Sequence, residues 1–200
     1  MPITTAVQNP QSIPLPPPQT GQATTLMQAL KHRRSTREFA PKPLPRDTLS
    51  TLLWAAFGIN RPDSGGRTAP SAHNWQEIFV YAALADGLFR YDATGHSLQP
   101  VTAADLRALT GMQDFVSGAP LNLVYVADFS RTGETGAEER EFLAAADAGF
   151  IAQNVYLFCA ATGLATVVRG FVDRKKLAAA LGLGMHERII LAQTVGFPAS

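Results

Sequence analysis

The chain has 200 residues, 46% of them hydrophobic, which is enough to bury one full core, so we expect one domain. Its formal charge of +1, from 17 basic and 16 acidic residues, gives no field that would attract a polyanion, and this argues against a nucleic-acid partner. The single cysteine excludes an internal disulfide. The lack of a long apolar run and of a signal-peptide pattern predicts a cytoplasmic protein without a membrane partner, or a periplasmic one if a signal peptide has been removed.

The N-terminal 22 residues contain six prolines, among them Pro16, Pro17 and Pro18. Because this segment has almost no periodic apolar signal, we predict an extended arm over residues 1–22 and one folded domain over residues 23–200. Proline-rich segments can also be ligands for aromatic grooves of other proteins. We favour an arm that lies across its own subunit or across a neighbouring copy.

A first helix is predicted directly after the arm. Leu26 and Leu30 have helical spacing, and Thr25 with Gln28 has the form of a capping box. The helix is expected to end at the basic segment Arg33–Phe39. Three arginines, together with the hydroxyls of a serine and a threonine, therefore follow the C-terminal end of a helix.

A second helix is predicted over Leu49–Phe57, with Pro45 in its first turn and Gly58 as its stop. The next residues, Ile59–Gln76, are dense in Gly, Pro, Ser, Thr and Asn and predict a loop without regular structure. A loop of this length is uncommon in a compact domain and is often functional.

The second half of the chain mixes strands and helices without strict alternation. The predicted strands are Ile78–Ala83, the hairpin Leu88–Tyr91 with Ser97–Val101, Leu121–Ala127, Ala165–Phe171 and Arg188–Val195. The predicted helices are Ala103–Thr110, Glu138–Thr162 and a short one from Asp173 to about Gly182. The class is therefore α+β, with a mostly antiparallel central sheet covered by helices. The small residues of the longest helix predict that it is buried on most sides and packs against a second subunit.

Several kinds of site are excluded by the motifs that the chain lacks. Its four histidines have no second ligand at a metal-binding spacing, so we expect no metal site. Cys159 lies among apolar residues, and no Gly-x-Ser-x-Gly elbow or glycine-rich dinucleotide fingerprint is present. We therefore expect no catalytic nucleophile.

The basic segment has the composition of an anion clamp, formed by Arg33, Arg34, Ser35, Thr36 and Arg37. Arginine can bind a phosphate in a bidentate manner, and a neighbouring hydroxyl adds a short directional bond. Since a helix C-terminus repels anions, the side chains must supply the attraction. Arginines that merely complement the helix dipole are the alternative, which this segment taken alone favours.

Two further segments suit a planar ligand. The loop Pro70-Ser71-Ala72-His73-Asn74 has small residues that allow close backbone approach, and the Asn74 amide both donates and accepts. Near the end of a strand, Gly170 offers a backbone N–H with no bulky side chain of its own. Ser71 and Asn74 as simple turn formers are the alternative.

In this order, the three segments resemble the FMN-dependent nitroreductase family from Leu26 to Pro198. The resemblance implies an α+β homodimer with two FMN sites at the subunit interface, in which Arg33, Ser35 and Arg37 grip the phosphate and ribityl chain. It also implies that Ser71 and Asn74 touch the ring edge and that a backbone N–H at Gly170, beside Arg169, faces flavin N5. The implied cofactor-binding residues are Arg33, Arg34, Ser35, Arg37, Pro70, Ser71, Ala72, Asn74, Arg169 and Gly170.

The resemblance implies an oxidoreductase that passes hydride from NAD(P)H through FMN to a small oxidant such as a nitroaromatic or quinone, without an obligatory side-chain acid or base. The segments Leu53–Arg61 and Arg67–Ala72 are similar to the azoline-dehydrogenase branch, while His73–Gln76 is more similar to general nitroreductases. An azoline-type dehydrogenase reoxidised by oxygen and a non-catalytic flavin-binding subunit therefore stay open. Many members add a basic C-terminal tail to the phosphate site, and this sequence stops at Ser200 without one. Either Arg33 and Arg37 then do more of the work, or a basic residue such as Arg169 or Arg174 contributes.

Overall fold

A computed structural model describes residues 11–21 and 24–199. The strands are β1 (Ile13–Pro14), β2 (Phe39–Ala40), β3 (Ile59–Arg61), β4 (Gly66–Arg67), β5 (Ile78–Leu84), β6 (Gly87–Asp92), β7 (Ser97–Thr102), β8 (Leu121–Asp128), β9 (Ala165–Arg169) and β10 (Glu187–Pro198). The α-helices are α1 (Leu26–His32), α2 (Arg46–Phe57), α3 (Phe115–Gly118), α4 (Ala137–Thr162) and α5 (Arg174–Leu181). Residues 1–10, 22–23 and 200, which include much of the predicted arm, lie outside the described residues.

One antiparallel sheet organises the domain, and its order is β1-β7-β6-β5-β8-β10-β2. Strand β10 pairs with β8 along most of its length, with β9 over Ala192–Gly196, and with β2 at its end. Helices α2 and α4 contribute Leu52, Leu53 and Ile151 to the core on one face of the sheet. Helix α5 contributes Leu177 to the core on the other face. The prediction of an α+β class with a mostly antiparallel sheet is confirmed.

The predicted start and stop signals lie at the ends of three helices. The Thr25 hydroxyl accepts from Gln28 N while the Gln28 side chain accepts from Thr25 N, so the capping box forms at α1. Pro45 is the N-cap of α2, one position outside its first turn. Gly163 ends α4 in the left-handed region at φ 73°, a conformation that glycine adopts without a steric penalty.

The structure differs from the predicted elements at four places, and side-chain hydrogen bonds accompany two of them. Residues 103–110 form only a short 3-10 turn at Arg107–Thr110, because the Asp105 carboxylate accepts from the Arg107 N–H and diverts the chain from an α-helix. Strand β9 ends at Arg169 instead of Phe171. Beyond it, the Arg174 guanidinium donates to the carbonyls of Ile189 and Ile190 on β10. The predicted loop 59–76 also contains the small hairpin β3–β4, and helix α3 was not predicted.

Within one subunit, helix α4 leaves large apolar side chains exposed, and its predicted packing against a second subunit stays a prediction. Phe142 is 71% exposed and Phe150 is 49% exposed, and Leu26 and Met27 of α1 are also largely exposed.

By length and composition alone, helix α4 could cross a membrane. The expectation that the chain has no apolar run of this length was therefore wrong. A core helix of a soluble protein passes the same test, and α4 packs against α2 and the sheet.

The described part of the arm, residues 11–21, lies on its own subunit. The carbonyl of Pro16 accepts from the Ser50 hydroxyl and lies 3.0 Å from His96 Nε2, while Ser50 Oγ and His96 Nε2 are 2.7 Å apart. Further along, the backbone N–H of Gln19 donates to Thr51 Oγ1 at 3.0 Å. Ser50 is fully buried on α2, so the arm is fastened to the helix by a hydroxyl that water cannot replace.

We expect Ser50→Ala to loosen this arm. Loss of the hydroxyl removes the donor to Pro16 and should lower the free energy of unfolding by about 1–3 kcal/mol, measured in urea. Limited proteolysis within residues 11–21 should become faster. Ser64→Ala removes an exposed hydroxyl from the β3–β4 hairpin and should change neither quantity. Equal proteolysis of the two variants would contradict the fastening role of Ser50.

Candidate functional site

The structure places two of the three predicted segments side by side. Arg33 caps the C-terminus of α1, and the chain then runs along β9, where the Thr36 N–H donates to the Thr166 carbonyl at 3.0 Å. Strand β9 continues to Arg169, and Gly170 follows it. The clamp therefore lies along the free edge of the strand that leads to Gly170, with its bonded contact at Thr166, four residues before that glycine.

A chain of hydrogen bonds orients the Ser35 hydroxyl. The Val168 N–H donates to the Tyr156 hydroxyl at 2.9 Å, and Tyr156 Oη lies 2.8 Å from Ser35 Oγ. Either hydroxyl can donate in the contact between Ser35 and Tyr156. When Tyr156 donates, Ser35 accepts and its own hydrogen is free to donate to an anion. Tyr156 thus links β9, α4 and the clamp.

The space beside the clamp is positively charged. A cavity of about 460 Å³ is lined by Lys31, Arg33 and Arg34 together with Tyr156, and none of its lining residues is acidic. The Arg33 guanidinium lies 5.2 Å from the Tyr156 ring centroid, which fixes its direction. Arg37 is exposed, and no clamp arginine forms an ion pair in the part of the chain that the structure describes. This volume falls within the range of ordinary ligand sites.

The Arg169 side chain points away from the clamp and into the core. It is 3% exposed and donates to the Thr110 carbonyl at 2.8 Å, to Asn122 Oδ1 at 3.1 Å and to Thr194 Oγ1 at 3.0 Å. Burial lowers its pKa to about 10. Because the Arg174 guanidinium is bound to backbone carbonyls, neither side chain can replace a basic tail at the phosphate site.

Gly170 leaves open space above its backbone. A β-carbon built at this position would meet only the Leu191 side chain, at 4.0 Å. The Arg174 guanidinium donates to the Gly170 carbonyl at 3.2 Å, and so does the Val172 N–H at 3.0 Å. These bonds hold the peptide in place while the space beside it stays free for a flat ligand.

The loop with the predicted ring-binding residues is bonded to itself. The Ser71 hydroxyl accepts from the Gln76 N–H at 3.0 Å, and Asn74 Oδ1 accepts from Gln76 Nε2 at 3.1 Å. His73, Asn74 and Gln76 all have positive φ, at 50°, 55° and 50°. Such conformations cost roughly 1–2 kcal/mol per residue and often mark functional segments. Ser71 and Asn74 therefore form the turn, with Ala72 between them and Pro70 directly before it.

This loop lies at a different level of α4 from the clamp. Asp147 of α4 accepts from the Ala72 N–H at 2.8 Å, whereas the clamp contacts Tyr156 of the same helix. Nine residues of helix separate these two positions, a rise of about 13.5 Å. The cavity beside Arg33 is lined by no residue of the loop. Within one subunit, the third predicted segment is thus not brought to the other two.

A buried carboxyl pair supports the loop. Glu77 is fully buried, and neither of its carboxyl oxygens has a hydrogen-bond partner among the described residues. Burial, with the negative charge of Asp147 beside it, raises the pKa of Glu77 to about 7. Burial also raises the pKa of Asp147. Arg131 is the cation that opposes the shift of Glu77. A proton held on Glu77 below about pH 7 reduces the repulsion between the two carboxyl groups in this dry site, while Asp147 accepts from the Ala72 N–H.

Sequence reasoning missed Tyr156, Glu77 and Asp147. Asp147 carries a signal, because a lone carboxylate among Ala144, Ala145, Ala146 and Ala148 in a helix predicted to be buried requires a partner. Glu77 precedes a buried strand and could be taken for a solvated loop residue. Tyr156 has the spacing of an ordinary core residue.

We expect the stability of the apoprotein to fall with rising pH because of Glu77. The unfolded chain releases the Glu77 proton near the ordinary pKa of 4.5, while the folded chain keeps it to about pH 7. The folded state binds more protons within this window, so the free energy of unfolding decreases as pH rises, on the order of 1.4 kcal/mol per unit of pKa difference.

Urea unfolding between pH 4.5 and about pH 8 measures this slope. Glu77→Gln keeps the shape of the side chain without an ionisable group and should flatten the profile. Glu138→Gln changes an exposed residue of α4 and should keep the wild-type slope. A Glu77→Gln profile parallel to that of the wild type would exclude the proposed titration.

Comparison with known proteins agrees with the fold. Residues 30–197 match the model of the Nitroreductase family. A candidate nitroreductase from Ralstonia eutropha JMP134, known from a crystal structure, is 49% identical and superposes with a TM-score of 0.91 over 96% of this chain and 92% of that chain. A candidate nitroreductase of Methanocaldococcus jannaschii is 31% identical over 161 residues, which are 75% of this chain and 81% of the relative.

A more distant solved structure shares the fold. The NADPH:FMN oxidoreductase of Vibrio harveyi, crystallised with NAD+, superposes with a TM-score of 0.66 at 21% identity, over 88% of this chain and 69% of that chain. The family match covers most of the present chain, and the sequence relatives extend over most of its length. The chain therefore belongs to the nitroreductase family, whose members are oxidoreductases.

Proposed function

We propose that the protein is an FMN-dependent oxidoreductase that uses NAD(P)H to reduce a small organic oxidant, such as a nitroaromatic or a quinone. The observation that carries this proposal is a basic cavity without carboxylates that reaches the start of β9 at Ala165 and Thr166, while open space lies at Gly170, just beyond the end of the same strand. FMN has a phosphate at one end and a planar ring at the other, and the two ends of β9 offer a place for each. The family match supports the same assignment.

The clamp suits the phosphate and ribityl chain of FMN. Arg33 and Arg34 line the cavity, Arg37 lies just beyond it on the same segment, and Ser35 can donate its hydroxyl hydrogen. Charge-assisted bonds of this kind are roughly twice as strong as neutral ones. In this assignment the phosphate site is formed by the clamp itself, because Arg169 and Arg174 are bonded elsewhere.

The ring is assigned to the space beside Gly170. The absence of a side chain at this position allows a flat ligand to approach the backbone. FMN held there would supply the chemistry of hydride transfer between NAD(P)H and the oxidant. The role of the chain is to bind and orient the cofactor, and no side chain is assigned as a proton donor.

A homodimer is part of this proposal. The loop Pro70–Asn74 is anchored on α4 about 13.5 Å along the helix from the anchor of the clamp, and it lines no part of the clamp cavity, so we assign its contribution to the flavin site to a second copy. The exposed apolar side chains of α1 and α4, among them Met27 and Phe142, provide a surface that a second copy would bury. Two equivalent sites at one isologous interface follow from this arrangement.

The absorption spectrum and anaerobic reduction test the assignment directly. We expect the purified or FMN-reconstituted protein to show a flavin spectrum that is bleached stoichiometrically by NADH or NADPH. Bleaching by neither nucleotide would favour the azoline-type dehydrogenase or the non-catalytic flavin-binding subunit. A colourless protein that cannot be reconstituted with FMN would exclude all three.

Arg37→Ala tests the clamp. Loss of a charge-assisted bond to phosphate costs about 1.5–3 kcal/mol, so the Kd for FMN should rise roughly 10- to 100-fold in a fluorescence titration. Arg188→Ala removes another exposed arginine, from β10, and should leave the Kd unchanged. Equal FMN affinity of Arg37→Ala and wild type would refute the role of Arg37.

Tyr156→Phe tests the orientation of Ser35. Without the hydroxyl, the Val168 N–H loses its acceptor and Ser35 loses its donor, so we expect about 1–3 kcal/mol of lost stability and a roughly fivefold to tenfold higher Kd for FMN. Tyr91→Phe also removes a bonded tyrosine hydroxyl, which contacts His96 beneath the arm. It should lower stability without changing the Kd. The same Kd in both variants would show that Tyr156 is only structural.

A further inference from the structure

A second basic cavity lies behind the loop and is separate from the clamp. It measures about 380 Å³, and its lining includes Arg67, Arg90 and Arg131. Arg67 belongs to β4, Arg90 to β6, and Arg131 to the turn after β8. Three elements that are distant in sequence thus each place a guanidinium in the same space.

Aromatic rings and backbone oxygens position these guanidinium groups. The Arg67 group lies 5.0 Å from the Phe57 ring centroid, with its Nε donating to Gln76 Oε1 at 2.9 Å and an Nη donating to the Phe57 carbonyl at 3.0 Å. Arg90 and Arg131 lie 5.1 Å and 5.6 Å from the centroid of Phe79. Stacking fixes the direction of a guanidinium without consuming its N–H donors.

No carboxylate forms an ion pair with these three arginines among the described residues. Over residues 11–21 and 24–199, the one ion pair joins Arg107 to Asp105, outside the cavity. Asp92 is the single acidic residue of the lining, and its oxygens accept from the Thr94 and Gly95 N–H groups at 3.0 and 3.2 Å. Three cations against one carboxylate leave the lining with a net charge of +2.

The convergence of the arginines has an electrostatic cost that an anion would remove. Burial is the main reason why the pKa of Arg67 is lowered, and repulsion from Arg131 adds to it. Tyr91 and Asp92 are the groups that oppose this shift. A multiply charged anion between the guanidinium groups would offset the repulsion and use their free N–H donors.

We propose that this cavity binds a phosphate dianion, either free or as a phosphomonoester. The polar lining, which also includes Gln99 and Thr94, suits a strongly hydrated tetrahedral anion better than an apolar carboxylic acid. The site does not rest on the flavin assignment, since it shares no residue with the clamp. Gln76 contacts both Arg67 and Asn74, so the occupied cavity would also stiffen the loop.

Calorimetric titration with inorganic phosphate, at constant ionic strength set by sodium chloride, tests the site. The double variant Arg90→Gln/Arg131→Gln removes two exposed cavity cations, and Arg33→Gln/Arg37→Gln removes two clamp cations. We expect the Kd for phosphate at one class of sites to rise at least tenfold in the cavity variant. The clamp variant should bind phosphate at this class of sites with the wild-type Kd. Arg188→Gln is the control for lost charge alone. Thermal unfolding of each variant verifies that it is folded.

Two outcomes would overturn the proposal. One is phosphate binding that the clamp variant abolishes and the cavity variant keeps. The other is equal weakening by the cavity variant and by Arg188→Gln, which would indicate screening of the overall charge.

NADP+ and NAD+ distinguish the two sources of phosphate. If the cavity takes a phosphomonoester, NADP+ should bind more tightly than NAD+ in the wild type, and this difference should vanish in the cavity variant. If the cavity takes free phosphate, inorganic phosphate should bind while the two dinucleotides remain equal. Absence of binding by all three probes would refute the site.

Discussion

Both parts of the candidate site depend on a single helix, α4, and on two polar side chains that it carries. Asp147 holds the Ala72 N–H of the loop, and the Tyr156 hydroxyl connects β9 to the clamp. Both side chains are buried, so water cannot substitute for the lost partners. The spacing of these two residues fixes the separation of loop and clamp, and this separation is the physical basis for expecting a second subunit to complete the site.

Charge on the two sides of the loop is arranged in opposite ways. On the α4 side, Glu77 and Asp147 share a buried position, and burial favours the neutral form of Glu77. On the β5–β6 side, Arg67 meets two further arginines in a polar cavity. Gln76 and Ala72 connect the loop to these two environments through hydrogen bonds. The strained backbone at residues 73–76 is therefore held from both sides, as expected for a segment that must keep one shape.

Several elements could be predicted from sequence because their signals are local. Thr25 with Gln28 marks the start of α1, Gly163 marks the end of α4, and the apolar runs of β5 and β8 mark central strands. The helix predicted over residues 103–110 does not form, because the Asp105 side chain competes with the helical backbone for the Arg107 N–H. The end of β9 could not be predicted, since it depends on an arginine side chain that binds carbonyls of a different strand.

For the site, the residue types could be identified from sequence: arginines with a serine after α1, small residues in the loop, and a glycine after β9. The role of each side chain became clear from its contacts in the folded protein. The orientation of the Ser35 hydroxyl depends on a hydrogen bond to Tyr156, which is 121 residues away in the sequence. The Arg169 guanidinium lies in the core and donates to Asn122 and Thr194. The reason is that burial and hydrogen-bond partners are properties of the packed chain. A charged side chain looks the same in sequence whether it faces a ligand or replaces water inside the protein.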